Sequence, residues 1–203
     1  MENLWNKIAA KYSDNKELIS EIWKKMESKY SERHRHYHNL KHIESMLQSA
    51  MFFKSEIKDF DAFLFSIFFH DIIYCVSRND NEKKSAELAE EYLQQLNVPI
   101  KIIEKCKQQI KATKYHEIEG CSDTSYLIDL DLAVLGTSEE KYKEYAINIR
   151  KEYNRYPDFL YKRGRKKILK NFLEKQNIYK TKYFQENYES KAKENLKLEM
   201  ESF

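Results

Sequence analysis

The sequence predicts an all-α fold, a single helical domain around one core, on three observations. Only 3 Gly and 2 Pro occur among 203 residues, too few for the tight turns of a many-stranded sheet. Nearly every segment carries apolar residues at helical rather than alternating spacing. With 41% of residues hydrophobic, a chain of this length can bury one core. The 15 Tyr and 11 Phe suit a thin core in a polar chain, because Tyr buries its ring while its hydroxyl stays wet.

The elements follow in order. Leu4, Ile8 and Tyr12 open a first helix, and Leu18, Ile22, Trp23 and Met26 mark a second. A third runs from about His38 to Phe53, with Ile43, Met46, Leu47 and Ala50 on one side. The fourth, about Ile57 to Tyr74, is apolar almost all round (Phe60, Phe63, Leu64, Phe65, Ile67, Phe68, Phe69). Such a helix sits centrally, which puts His70 and Asp71 near the end of the core helix. A polar loop, Cys75 to Asp80, precedes a helix from Glu82 to Leu96 with Ala86, Ala89, Leu93 and Leu96 inward. Pro99 suits the first turn of the next helix, which runs to about Thr113. Lys114 to Ser122 reads as a loop containing Gly120. Ser122 or Asp123 is the expected cap of a helix bearing Leu127, Leu130, Val134 and Leu135, with Gly136 as its stop. Three more helices are expected, the last at about 180–202 and rich in Lys and Glu. The motif-bearing core spans about 30–175. No repeat or linker interrupts it.

Net charge is +3, which selects no partner. Basic residues are concentrated from Arg150 to Lys182, a block able to steer a phosphorylated molecule or nucleic acid; a solvated helix face is the plainer account. Cys75, Cys106 and Cys121 are odd in number and lack CxxC spacing. This argues against a disulfide framework and for a reducing compartment. No basic start followed by an apolar run opens the chain, so no signal peptide is expected. The apolar stretch from Phe60 to Val76 is too short and too charged to span a bilayer. A cytoplasmic protein without membrane partners is expected.

Three clusters carry chemistry. His34, His38 and His42 recur at four-residue spacing, which on a helix stacks them on one face for chelation or relay; a polar helix start also holds histidines with no ligand role. In Phe68-Phe-His-Asp71 a carboxylate beside an imidazole ends an apolar helix. That is costly unless a cation compensates, and the pair suits Zn, Mn or Fe; a His–Asp pair bonded to loop backbone is the alternative. In Leu127-Ile-Asp-Leu-Asp-Leu132, Asp129 and Asp131 differ by about 200° around a helix, so they do not share one role.

His…His-Asp…Asp on successive helices resembles the signature of the HD superfamily of metal-dependent phosphohydrolases. Tyr37-His-Asn-Leu-Lys-His42 is similar to the Tyr-His-Asn-x-x-His element of cyclic-nucleotide phosphodiesterases, whose second His binds metal and whose first donates a proton to the leaving oxygen. The longer pattern resembles a bacterial family of predicted metal-dependent HD phosphohydrolases. It is carried by Arg35-His-Tyr-His38, Phe69-His-Asp71, Asp80-Asn-Glu82 with Ser85-Ala86, Thr113-Lys-x-His116, Asp129-x-Asp-Leu132 and Gly164-Arg165, over roughly residues 30 to 200. The resemblance implies an HD-type helical bundle. It also implies one divalent metal ion (Mn, Zn, Fe, Co or Mg) on His42, His70, Asp71 and Asp131, with Asp131 preferred to Asp129, and His38 as general acid.

Two departures narrow the expectation. The phosphodiesterases continue as His-Asp-x-x-His and bind two metals; Tyr74 at the corresponding position favours one. HD-type iron oxygenases place several histidines between the His-Asp pair and the final Asp, and only His116 stands there, where it could serve a second metal or a phosphate. The expected activity is hydrolysis of a small phosphorylated molecule, a nucleotide above all. Asp71 or Asp131 orients water, Glu82 is an alternative base, and Arg35, Lys114, His116 and Arg165 hold phosphate. For Lys114 and Arg165 a surface ion pair is a comparable account, and Asp80, Asn81 and Glu82 also suit a helix cap. Tyr37 and Tyr74 read as walls. An iron oxygenase with at least five protein ligands and a non-catalytic nucleotide sensor are the alternatives. Nucleic acid is not expected as a partner, and a homo-oligomer stays open.

Overall fold

The computed structural model describes residues 1–114 and 122–203. Among these residues there are eleven α-helices, one short 3-10 helix and no strand, so the all-α class is correct. The contacts gather into two compact units, residues 1–127 and 128–203, and the division falls inside a helix. No helix among the described residues is long and apolar enough to cross a membrane.

The first unit contains α1 (Glu2–Ala9), α2 (Lys16–Tyr30), α3 (Leu40–Phe52), α4 (Phe60–Phe69), α5 (Asn81–Gln95), α6 (Ile100–Ala112) and the start of α7 (Ser122–Asp131). Helix α4 is its axis, packed against α3, α5 and α6. Every residue from Ala62 to Phe69 is buried, as its all-round apolar sequence requires. Burial of each Phe contributes about 1.5–3 kcal/mol. Trp5 sets its ring edge-on to Phe65, Phe68 and Phe69, and its indole N–H reaches the Ile19 carbonyl at 2.9 Å. Ser66, the polar residue inside α4, has its hydroxyl 2.8 Å from the Ala62 carbonyl and 2.6 Å from the Gln109 amide oxygen, two acceptors for its one proton.

The ends of α4 are held by long-range polar contacts. Asp59 caps it by accepting the Ala62 N–H. Asp123 does not cap α7. It turns toward α4 and accepts the N–H groups of Lys58 and Asp59 at 2.9 and 3.0 Å. At the other end the Tyr30 hydroxyl donates to the Phe68 carbonyl. Helix α4 is therefore shorter than the expected 57–74, stopping at its C-cap His70.

In the second unit α7 tightens into the 3-10 helix Leu132–Gly136 instead of continuing as α-helix. Then follow α8 (Glu139–Glu152), α9 (Asp158–Glu174), α10 (Lys182–Asn187) and α11 (Glu189–Glu201). Four helices stand where three were expected. The expected last helix breaks at Tyr188, which leaves helical geometry at φ −124°. The break has a cause: Glu189 turns inward and accepts the backbone N–H groups of Ile178 and Tyr179. Helix α11 packs on the 3-10 helix, α9 and α10.

Candidate metal centre

The site is built from the ends of helices. Asn39 caps α3, its side chain accepting the Lys41 N–H, which places His42 in the first turn. His42 is buried there at 6% exposure, and His70, at the end of α4, is buried at 1%. The cap also corrects the expected histidine face. His34 and His38 precede α3, so they do not share a helical face with His42.

His70 is oriented by its own helix. Its Nδ1 lies 3.0 Å from the Ile67 carbonyl. Only an N–H can meet a carbonyl in this way, so Nε2 carries the ring's lone pair when the imidazole is neutral. That Nε2 lies 3.3 Å from Nε2 of His42 and 3.2 Å from Oδ2 of Asp71. Asp131, the last residue of α7, completes the group: one ligand atom from each of His42, His70, Asp71 and Asp131 lies within 4.8 Å of the others. Two imidazole nitrogens and two carboxylates so close, with both rings buried, match a divalent cation in charge and donor type. The residues therefore fit a metal ion.

Asp129 points elsewhere, as the 200° offset requires. It accepts the N–H groups of Lys180 and Thr181 and the Thr181 hydroxyl, each at 2.7 Å. Burial raises its pKa to about 6 against the opposing pull of those donors. Asp129 thus anchors the start of α10, and Asp131 is the one in the ligand group.

His38 stays beside the centre without belonging to the ligand group. Its ring stacks on Tyr74 at 4.2 Å and lies 6.1 Å from the His42 ring. Tyr37 stands against His42 at 4.9 Å, so Tyr37 and Tyr74 both lie beside the candidate ligand group. His34 leaves the centre and meets the Tyr74 carbonyl.

Two of the expected phosphate-holding residues, Arg35 and Arg165, are buried against protein partners. Arg35 is buried, and its guanidinium is directed at protein atoms: Nη1 at the carbonyls of His38 and Asp71, Nη2 at that of Ile72, and Nε at Glu32. Its position between the rings of Tyr30 and Tyr74 makes it a clamp on the turn that carries Asp71, not an open anion site. Arg165 is also buried, and it forms a two-pronged pair with Glu199 at 2.8 and 2.9 Å. Lys114, just past α6, donates to the Asn79 carbonyl. Glu82 is half-buried in the first turn of α5 and is not part of the ligand group. His116, Gly120 and Cys121 lie outside the described residues.

The Asp80-Asn-Glu82 and Ser85-Ala86 elements brace the loop after Asp71. Asn81 exchanges hydrogen bonds with both backbone groups of Cys75, and the Ser85 hydroxyl accepts the Ile73 N–H at 3.1 Å. Asp80 holds Arg78 in a two-pronged pair. Sequence reasoning missed Tyr30 and Glu32, which position Arg35, and Thr181, which engages Asp129. Thr181 acts across 52 residues of chain, which no local pattern marks, whereas Glu32 lies three residues before Arg35 and that spacing was the available signal. No family model matches the chain, and no curated protein or solved structure is significantly similar to it.

Proposed function

We propose that the protein is a metal-dependent phosphohydrolase of the HD type, acting on a small phosphorylated molecule such as a nucleotide. One observation carries this reading: two imidazoles and two carboxylates within 4.8 Å of one another, with the His38 ring stacked beside them. A divalent cation, when bound, supplies Lewis acidity toward a phosphoryl oxygen and a lowered pKa for water. His42, His70, Asp71 and Asp131 would hold it. Two nitrogen donors favour Zn, Mn, Fe or Co over Mg, which prefers oxygen.

The chain's own residues have distinct tasks. Asp71 and Asp131 orient the attacking water, with Glu82 as the alternative base. His38, held against Tyr74, donates its proton to the leaving oxygen. Arg35 keeps the backbone of Asp71 in place. Lys114 and His116 remain the proposed phosphate contacts. The iron-oxygenase alternative calls for at least five protein ligands, and the described group offers four. Cys106 is a buried thiol, and an odd number of cysteines without CxxC spacing suits a reducing, cytoplasmic setting.

The test is a screen of the purified protein against nucleotides and phosphoesters, with Mn, Zn, Co, Fe or Mg added. Asp71→Ala should abolish turnover and lower bound metal. His38→Ala should slow turnover and leave bound metal unchanged. Turnover that survives Asp71→Ala would remove the proposal.

A further inference from the structure

The second unit carries a surface that phosphate chemistry at the His/Asp centre does not use. Helix α9 buries one narrow stripe, Tyr161, Arg165 and Leu169. Its opposite side is exposed and basic: Arg163, Lys166, Lys167 and Lys170. At 3.6 residues per turn these four fall within an arc of about 100°. Lys170 meets Glu174 at 3.6 Å, but among the described residues no carboxylate reaches Arg163, Lys166 or Lys167. On the same side, at the start of the helix, Phe159 is 70% exposed and Leu160 45% exposed. Gly164 adds no side chain, and among the described residues a Cβ there would meet nothing within 4 Å.

A partner for this face must be anionic, to answer cations without carboxylates, and must also accept two adjacent large apolar side chains. A nucleic-acid backbone meets the first condition and leaves the second unexplained. An anionic lipid surface meets both, because lipid phosphates and carboxylates lie directly above acyl chains. We propose that the outward face of α9 docks on an anionic membrane surface, with Phe159 and Leu160 entering the headgroup layer and Arg163, Lys166, Lys167 and Lys170 against the lipid charges. The attachment is peripheral and reversible. Each cation near such a surface strengthens binding by roughly fivefold.

Co-sedimentation of the full chain with vesicles tests this. Binding is expected to vesicles of phosphatidylserine mixed with phosphatidylcholine, not to phosphatidylcholine alone, and to weaken as salt rises. Lys166→Glu with Lys167→Glu, and separately Phe159→Ser, should each lower the affinity at least about tenfold. All three side chains are exposed, and unchanged circular dichroism would show that the fold is kept. Absence of binding to the serine lipid, equal binding to both vesicle types, or binding indifferent to either variant overturns the proposal. So does a face that retains a DNA or RNA duplex through Lys166 and Lys167 while Phe159→Ser leaves vesicle sedimentation unchanged.

Discussion

His70 directs its Nδ1–H at the carbonyl of Ile67, 3.0 Å away and three residues earlier in the chain. The bond is local, made in the last turn of α4 where carbonyls need partners. It nevertheless decides the chemistry of the ring, because it leaves Nε2 as the ligand atom facing His42 and Asp71. A sequence in which the core helix ended at another residue would have the same histidine without this orientation.

Arg35 extends that orientation to Asp71. Its Nη1 and Nη2 atoms meet the carbonyls of Asp71 and Ile72, and a lysine cannot span both. Arg35→Lys and Arg35→Met should each destabilise the protein, the latter by on the order of 3 kcal/mol. Both should weaken divalent-metal binding by about 10–100-fold, the usual effect of losing a residue that positions a ligand. Thermal melts and metal titrations of the folded variants check this. Unchanged metal affinity in a folded Arg35→Met protein would show that the clamp serves stability only.

Arg165 and Glu199 form a buried pair, with side chains 7% and 9% exposed, and the Tyr142 hydroxyl adds a further hydrogen bond to the same carboxylate. Removing one partner strands a charge. Arg165→Ala and Glu199→Ala should therefore each cost about 3–5 kcal/mol, with the double variant costing much less than their sum. Chemical denaturation of the four proteins of this cycle measures it. Additive losses would mean that the pair is not coupled.

Asp129 gives stability a pH dependence. Burial holds its folded pKa at about 6, above the ordinary value of 3.8. Between those limits the folded state binds more protons than the unfolded one. The contribution is thus complete below the lower limit and lost as pH rises through about 6. Asp129→Asn should flatten the melting temperature across that window, in which wild type declines with rising pH. A wild-type slope identical to that of the variant would assign the dependence to other groups.

The two described glycines of the second unit should respond oppositely to alanine. At Gly164 a Cβ meets nothing within 4 Å, so Gly164→Ala should stabilise α9 by about 0.5–1 kcal/mol through lower backbone entropy of the unfolded chain. At Gly136 a Cβ would come to 2.7 Å from the Tyr188 carbonyl oxygen, so Gly136→Ala should destabilise. Melting temperatures of the two variants decide both.

Much of the helical layout was legible because apolar spacing and scarce turn residues act locally. The burial of α4 followed from its all-round apolar sequence, and so did the position of His70 at its end. Where the sequence misled, a cap or a partner outside the helix intervened. Helix α3 begins after His38 because Asn39 caps it. The chain turns after His70, where Arg35 takes the carbonyls that a longer helix would use. The last helix breaks where Glu189 serves Ile178 and Tyr179. In the candidate site, residue type and spacing pointed to the His70–Asp71 pair and to the clusters around His42 and Asp131, and the resemblance to HD proteins, not spacing, singled out His42 and preferred Asp131 to Asp129. Arg35 and Arg165 were legible as arginines with motif context, but the partner that buries Arg165, Glu199, lies 34 residues away and no local pattern announces it.

The central claim is that His42, His70, Asp71 and Asp131 together hold one divalent cation. Calorimetric titration of the metal-stripped full chain with Zn, Mn or Co, run beside Asp71→Ala, tests it most directly. The account predicts binding of one ion per chain and an affinity lowered well beyond tenfold by the substitution. A wild-type protein that takes up no ion, or a variant that binds as tightly as wild type, would contradict it.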